Sequence, residues 1–377
     1  MSWKKRESQR KALSEERGAV VKDPGGRLSV CLVYPNHYRA AMSNLGFQSV
    51  YAFLNRQDTV RCERAFLPDR GEQAEMERRG GKLLSLETGT PLDAFDIVAF
   101  SVSFENDYAH IPRLLAAGGI PPLARDRTTA HPLVMGGGAA LFLNPEPVAD
   151  FFDMICVGEA EPVLPGLIRL FISPEPAARG ELLASAAQLP GIYVPSFYKV
   201  EYHAGASCME SVAGAPLPVR RQALEELDRE PTASSLFTPR AELGEMFLLE
   251  VSRGCPRGCR FCAAGFIYLP YRRRSSPSLR QQALTAAKDH GKVGLVGAAV
   301  SDYPGIGQLC ADIVEAGGSV SVSSLRIENL DDRMLEALKA SGHKTVSLAP
   351  EGGSQRLRDL VKKGITEQQI LDACDRV

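Results

Sequence analysis

Glu250-Val-Ser-Arg-Gly-Cys-Pro-Arg-Gly-Cys-Arg-Phe-Cys-Ala-Ala-Gly265 places Cys255, Cys259 and Cys262 in a C-x3-C-x2-C run, immediately after the strand-like Met246-Phe-Leu-Leu-Glu-Val-Ser252. Gly254, Gly258 and Gly265 punctuate the run, so the three thiols sit on a loop. A structural zinc site takes four ligands, and the nearest further Cys or His residues are His203, Cys208, His290 and Cys310. Ferredoxin loops are spaced C-x2-C-x2-C-x3-C or begin C-x4-C-x2-C, and this run has neither spacing. The other cysteines, Cys31, Cys62, Cys156, Cys208, Cys310 and Cys374, are scattered singly, which reads as reduced thiols and not as a disulfide framework.

With the apolar Phe261 ahead of its third cysteine, the run resembles the cluster loop of radical S-adenosylmethionine enzymes. The resemblance implies that each thiolate holds one iron of a 4Fe-4S cube, leaving the fourth iron without a protein ligand. In that family the amino and carboxylate groups of S-adenosylmethionine chelate the open iron, and an electron splits the sulfonium to give a 5'-deoxyadenosyl radical. A reductant of the flavodoxin or ferredoxin kind is the implied partner.

From Met246 onward the chain reads as a β/α series. Its strands are 246–252, 293–300, 320–324 and 345–349, and its helices include 278–291, one capped by Asp331 or Asp332, and 366–377. These are four β/α units of an incomplete partial barrel. The family core has six, so strands five and six are expected beyond Val377, and the chain is expected to be one part of a longer protein. In the family, strand two ends in a Gly-Gly-Glu motif that binds the methionine amino group. Here the stretch is Gly297-Ala-Ala-Val-Ser-Asp302, so the resemblance points to Gly297 with Ser301 or Asp302. Ser324 and Arg326 after strand three, and Glu351 and Ser354 after strand four, suit the cofactor's carboxylate and ribose hydroxyls, since a guanidinium pairs a carboxylate bidentately. Helix capping and plain surface exposure are the alternatives for each.

Upstream, strands at 28–35, 59–67, 95–103, 131–138 and 154–158 alternate with helices at 44–55, around 111–115 and at 161–172. This is the pattern of a flavodoxin- or Rossmann-like α/β domain with a parallel sheet. Ligands of such sheets bind at the carboxyl ends of the strands. The stretches there resemble the cobalamin-binding-like domain that precedes the radical domain in one class of these enzymes. On that resemblance Ser43, Gly46, Ser101, Ser103, Gly136, Gly137, Gly138 and Glu159 are the corrin-facing candidates. The D-x-H-x-x-G register that supplies a cobalt-ligating histidine is replaced by Ala41-Met-Ser43-Asn-Leu-Gly46. Either a corrin binds without that histidine or the domain has lost it. The expected divisions are a flexible charged lead at 1–26, the cobalamin-binding-like domain at 27–172, a Pro-rich connecting region at 173–245 holding a short strand pair, and the radical domain at 246–377.

A hydrophobic fraction of 44% and a charged fraction of 24% describe an ordinary globular chain, and a formal net charge of -1 gives no global reason to bind nucleic acid. No apolar run approaches the roughly 18 residues of a membrane helix, and no apolar core of a signal peptide follows the basic start, so a cytoplasmic protein without a membrane partner is expected. One local feature stands out: Arg253, Arg257, Arg260, Arg272, Arg273, Arg274 and Arg280 occur with no acidic residue among them. They suit tuning of a negatively charged cluster or, with Phe266, Tyr268 and Tyr271, contact with RNA. The expected function is radical modification of an unknown substrate: a cobalamin-dependent methylation, a cobalamin-independent change to RNA or a ribosomal component, or, as a different class, non-catalytic iron-sulfur binding or electron transfer.

Overall fold

The computed structural model describes residues 11–173, 178–203, 206–212 and 214–377. It divides into one unit of Met1–Leu224 with Thr238–Glu242, and a second of Glu225–Phe237 with Leu243–Val377.

In the first unit, six strands form one sheet: β1 (Leu28–Tyr34), β2 (Val60–Phe66), β3 (Ile97–Ser101), β4 (Leu133–Gly137), β5 (Met154–Cys156) and β6 (Ile192–Tyr193). Their order is β2-β1-β3-β4-β5-β6; β1 to β5 run parallel, and β6 pairs antiparallel with β5. The first five follow the flavodoxin-like order, with its switch point between β1 and β3. From Ser29 to Tyr34 every residue of β1 is buried, which is why this strand reads as a mostly apolar run instead of an alternating one. Helices α1 (Leu45–Arg56), α2 (His110–Ala117) and α3 (Ala160–Phe171) fall where the periodicity puts them, and the side chain of Asn44 caps α1 by accepting from Phe47 N.

Three features of this unit differ from expectation. Residues 11–26 are not a loose lead: Glu16 pairs with Arg64, Val20 N donates to the Tyr51 hydroxyl at 2.9 Å, and Lys22 Nζ donates to the Gln57 and Val60 carbonyls. Residues 1–10 lie outside the described residues. The Pro-rich stretch holds the expected antiparallel pair, β7 (Tyr198–His203) with β8 (Ala206–Ser211), but also a helix, Arg179–Ala187, and the strand β6 that completes the sheet. Of the connecting region, residues 225–237 and 243–245 cluster with the second unit and 238–242 with the first.

The second unit is built on a three-stranded parallel sheet of β9 (Phe247–Glu250), β12 (Lys292–Val296) and β13 (Ser319–Val322), in the order β13-β12-β9. Between them, β10 (Ser252–Arg253) pairs antiparallel with β11 (Arg272–Arg273). Helices α4 (Ser276–His290), α5 (Ile306–Glu315) and α6 (Asp332–Ala340) supply Leu279, Ala283, Ile313, Met334 and Leu338 to a core shared with Leu249, Val293 and Val320. Asp331 caps α6, accepting from Met334 N at 3.1 Å.

Residues 345–349, expected as a fourth strand, form no strand. The reason lies on the edge of β13, where Val320 N donates to Ser341 Oγ at 2.8 Å and Val320 O contacts His343 Nε2 at 3.2 Å. Side chains take the backbone groups that an incoming strand would use. Val346 and Leu348 still pack inward, which produced the alternating pattern.

Three substitutions test this account of the first unit. Arg64 is fully buried, with Nη2 2.6 Å from Glu16, Nε 2.6 Å from Glu87, and its guanidinium 4.7 Å from the Tyr51 ring centroid. Arg64→Met strands two buried carboxylates and is expected to cost about 3–5 kcal/mol in urea unfolding. Gly138 has φ +108°, and a Cβ there would lie 2.4 Å from Val102 O. Gly138→Ala is expected to cost at least about 1–3 kcal/mol from backbone strain alone. Gly180→Ala, in a helix with open space around it, is expected to raise stability by at most about 1 kcal/mol.

Candidate active site

The cysteine loop leaves the carboxyl end of β9 and returns through β11, so residues 254–271 project from one end of the parallel sheet. Two glycines allow the loop to fold onto itself. At Gly254, φ +84°, a Cβ would lie 2.5 Å from Tyr268 O, and at Gly265 it would lie 2.7 Å from Arg257 O. Cys262 N donates to Cys259 O at 3.2 Å in a tight turn. All three thiols are free; Cys255 and Cys259 are buried and Cys262 is half-buried. Burial pushes the Cys255 thiol up from its ordinary value, the Arg257 N–H opposes this, Asp302 adds to the rise and the Arg326 charge reduces it.

The strand ends beside the loop are joined by ion pairs. Arg257 donates through Nε and Nη2 to the two carboxylate oxygens of Asp302, at 3.0 and 3.1 Å, and Asn329 Nδ2 donates to the same carboxylate. Arg326 donates to Glu328 Oε1 through Nε at 2.9 Å and Nη2 at 2.6 Å, and its N–H donates to Ser301 Oγ at 3.0 Å. Ser324 Oγ accepts from Val300 N at 3.1 Å and donates to Gly297 O at 3.2 Å. A third segment holds the loop's outer side: Arg260 N donates to Val361 O at 3.0 Å, and Lys363 Nζ lies 6.0 Å from the Phe261 ring centroid and 3.3 Å from Glu351 Oε1. Buried Arg358 shapes that segment by donating to the carbonyls of Gly352, Gly353 and Ile365. Ser354 caps the helix Gln355–Leu360.

Several candidates from the sequence therefore meet here. Asp302 and Arg326 act on Cys255, while Phe261 and Glu351 share Lys363. Ser301, Ser324 and Gly297 tie strand ends to one another, and Ser354 is occupied as a cap. Glu328 was missed, because it lies in a turn after β13 with no motif around it, and only the fold shows its contact with Arg326. Most of the arginine run has internal partners. Arg253 and Arg274 pair with Glu250, Arg257 with Asp302 and Arg280 with Asp312. Arg260 and Arg272 donate to main-chain carbonyls. Of the three aromatics, Phe266 is exposed, while Tyr268 and Tyr271 are half-buried.

Among the described residues, no three Cys, His, Asp or Glu side chains gather, as placed, into a group that holds a metal ion. The donor chemistry nevertheless fits a thiolate-bound cluster, with three free cysteines within eight residues of one loop and guanidinium groups beside them.

In the first unit the corrin-facing candidates line the carboxyl edge of the sheet but are largely engaged within the protein. A Cβ at Gly136 would meet Leu141 at 2.6 Å, and one at Gly138 would meet Val102; Gly137, ending β4, has only ordinary contact with Cys156. Glu159 accepts from Leu224 N at 2.8 Å, and its own N–H donates to Gln222 O at 2.9 Å, so residues 222–224 cover the end of β5. Ser103 accepts from Asn44 Nδ2 at 3.1 Å. Ser43 precedes the cap of α1, Gly46 is exposed in its first turn, and Ser101 ends β3.

No described helix is long and apolar enough to cross a membrane. The chain is 29% identical over 352 residues to an uncharacterized protein of Methanocaldococcus jannaschii, an alignment that covers 92% of this chain and 66% of the relative; the chain thus spans about two thirds of that protein's length. Among solved structures, a carbohydrate transporter from Acidothermus cellulolyticus 11B in complex with myo-inositol matches at 12% identity over 84% of this chain and 85% of the other. Its TM-score of 0.22 carries no argument. Residues 46–195 match the family described as radical SAM proteins, N-terminal, and residues 249–377 match the radical SAM superfamily. Radical SAM superfamily domains are thus present over both stretches, and the thiol-bearing loop lies within the second.

Proposed function

We propose that the chain carries the cofactor-binding part of an enzyme that cleaves S-adenosylmethionine reductively and uses the resulting radical to modify a substrate. One observation carries this reading: three free thiols on a single loop at the carboxyl end of a parallel sheet, inside the residues that match the radical SAM superfamily. Cys255, Cys259 and Cys262 would hold a 4Fe-4S cluster. When bound, such a cluster supplies the electron that breaks a carbon–sulfur bond of S-adenosylmethionine. An external low-potential donor of the flavodoxin or ferredoxin kind would reload it.

The chain's own residues bind and shield. Glu351 would offer a carboxylate to an ammonium or ribose hydroxyls, and Asp302 would do so only on exchanging its bonds to Arg257; Gly297 leaves the strand end close to the Ser252 main chain, and Phe261 with Lys363 closes the loop's outer side. Ser301 and Ser324 would orient these groups by fixing strand ends and would not touch the cofactor.

We favour chemistry without a corrin. Gly136 and Gly138 and the carboxylate of Glu159 serve the packing of the first unit, which supports reading that edge as structural. The internal pairing of the arginines also weakens the case for RNA, since it leaves few free cations for phosphate. Methylation through cobalamin is the alternative reading of the same sheet edge.

Anaerobic reconstitution with iron and sulfide, followed by dithionite and S-adenosylmethionine, is expected to yield 5'-deoxyadenosine by chromatography. Replacing any one of Cys255, Cys259 or Cys262 with Ala is expected to abolish it. A cluster-loaded protein that yields none would be an iron-sulfur or electron-transfer protein. Mixing with hydroxocobalamin and desalting is expected to leave no corrin absorbance; retained absorbance at one equivalent would restore the methylation reading.

A further inference from the structure

Arg257 stands between the first two cysteines of the loop, and its side chain reaches back to the sheet. Nε and Nη2 donate to the two oxygens of Asp302, in the turn after β12, at 3.0 and 3.1 Å. Such a pairing of fork with fork fixes the guanidinium in angle as well as in distance, which a single hydrogen bond does not. The Asp302 side chain is 4% exposed against 36% for Arg257, and Asn329 Nδ2, from beyond β13, donates to the same carboxylate. Withdrawing Arg257 would leave a nearly buried charge without its counterion. The main chain of Arg257 is engaged too: a Cβ at Gly265 would lie 2.7 Å from Arg257 O, so the returning limb of the loop crosses directly over this residue. Cys255 and Cys259 flank the anchored residue, and Cys262 lies just ahead of the crossing. The outer side of the loop has its own tether, Arg260 on the Leu360 and Val361 carbonyls.

We propose that Asp302 is a positioning residue for the thiol loop: by clasping Arg257 it shapes the loop before any metal arrives, and so governs loading of the cluster instead of capturing the cofactor's ammonium. This rests on the cluster-binding reading above and goes beyond it in assigning Asp302 to the loop. An incoming ammonium would have to displace a bidentate guanidinium from a carboxylate whose two oxygens are both in use. Three thiols held near one another in advance lose less chain freedom on taking up iron than three thiols on a free loop, so the clasp favours loading. Because Arg260 tethers the outer side, breaking the clasp loosens the inner limb and does not release the whole loop.

The first readout needs no metal. In hydrogen–deuterium exchange of the reduced, metal-free chain, Arg257→Gln and Asp302→Asn are each expected to speed exchange across residues 254–265 at least about threefold, with β1 of the first unit unchanged as a control for folding. Asparagine keeps the size of aspartate but offers one acceptor oxygen, so it cannot match the fork. The second readout is the iron and sulfide retained after anaerobic reconstitution and desalting, with the rate at which a chelator strips the iron. Each variant is expected to lose iron at least about threefold faster than wild type, and the double variant to be no worse than the poorer single one, because both substitutions remove the same contact. Arg257→Lys, which keeps the charge but not the fork, is expected to fall between. Additive losses in the double variant, or single variants with wild-type exchange and wild-type retention, would overturn the assignment. So would an Asp302→Asn chain that holds iron as wild type does but binds S-adenosylmethionine at least about tenfold more weakly in equilibrium dialysis, which would return Asp302 to the cofactor. Should Asp302→Asn fail to fold, Arg257→Gln, made at a partly exposed side chain, carries both readouts. A wild-type chain that retains neither iron nor sulfide would sink the cluster reading, and the loading role with it; exchange in the metal-free chain separates that outcome from the absence of the clasp.

Discussion

The cysteine loop depends on carboxylates that it does not contain. Between Arg253 and Arg280 there is no acidic residue, yet Glu250, Asp302 and Asp312 arrive from β9, from the turn after β12 and from α5 to pair with four of its arginines. Arg257 ties the loop to the turn after β12, and the other three pairs brace the segments on either side of it. Arg274 goes furthest: it is buried, donates to the Leu227 and Glu230 carbonyls and meets Glu250 at 2.9 Å, which joins residues 227–230 to the root of the loop. Removing Glu250 leaves the buried Arg274 charge in a poor solvent for it, so this pair holds the geometry together more than its net contribution to stability suggests.

The same economy operates in the first unit. A carboxyl edge rich in glycine resembles a ligand cradle, but three of its glycines are explained by what a Cβ would strike: Leu141 and Phe152 at Gly136, the Val102 backbone at Gly138, and Gln222 O at Gly158. The close approaches are of chain to chain. That edge supports the fold whether or not it also meets a ligand.

Most of the architecture was legible in the sequence because it depends on local signals. Apolar runs in β1, β3 and β4 mark buried parallel strands; Asn44, Asp331 and Thr366 mark helix starts; and the cysteine spacing marks the loop. What stayed hidden was set by contacts distant in sequence. The alternation at Thr345–Ala349 promises a strand, yet whether it pairs depends on Ser341 and His343 reaching Val320. The charge of the arginine run cannot be judged without its partners, and Glu328 has no motif to announce it. The lead at 11–26 looked loose because its anchors, Arg64 and Tyr51, lie far along the chain.

The three-stranded sheet of the second unit has a further property in the way it is bounded. On one side the main chain at Thr232–Ser234 bonds to β9, with Glu250 N donating to Thr232 O and Ser234 N to Leu248 O. On the other, Ser341 and His343 occupy Val320. Neither border presents an uninterrupted ladder of free amides, the feature through which exposed sheets recruit a second copy and aggregate. Two polar side chains and a short piece of backbone thus take up the edge groups of Val320, Leu248 and Glu250 in a small sheet that carries an oxidisable thiol loop at one end.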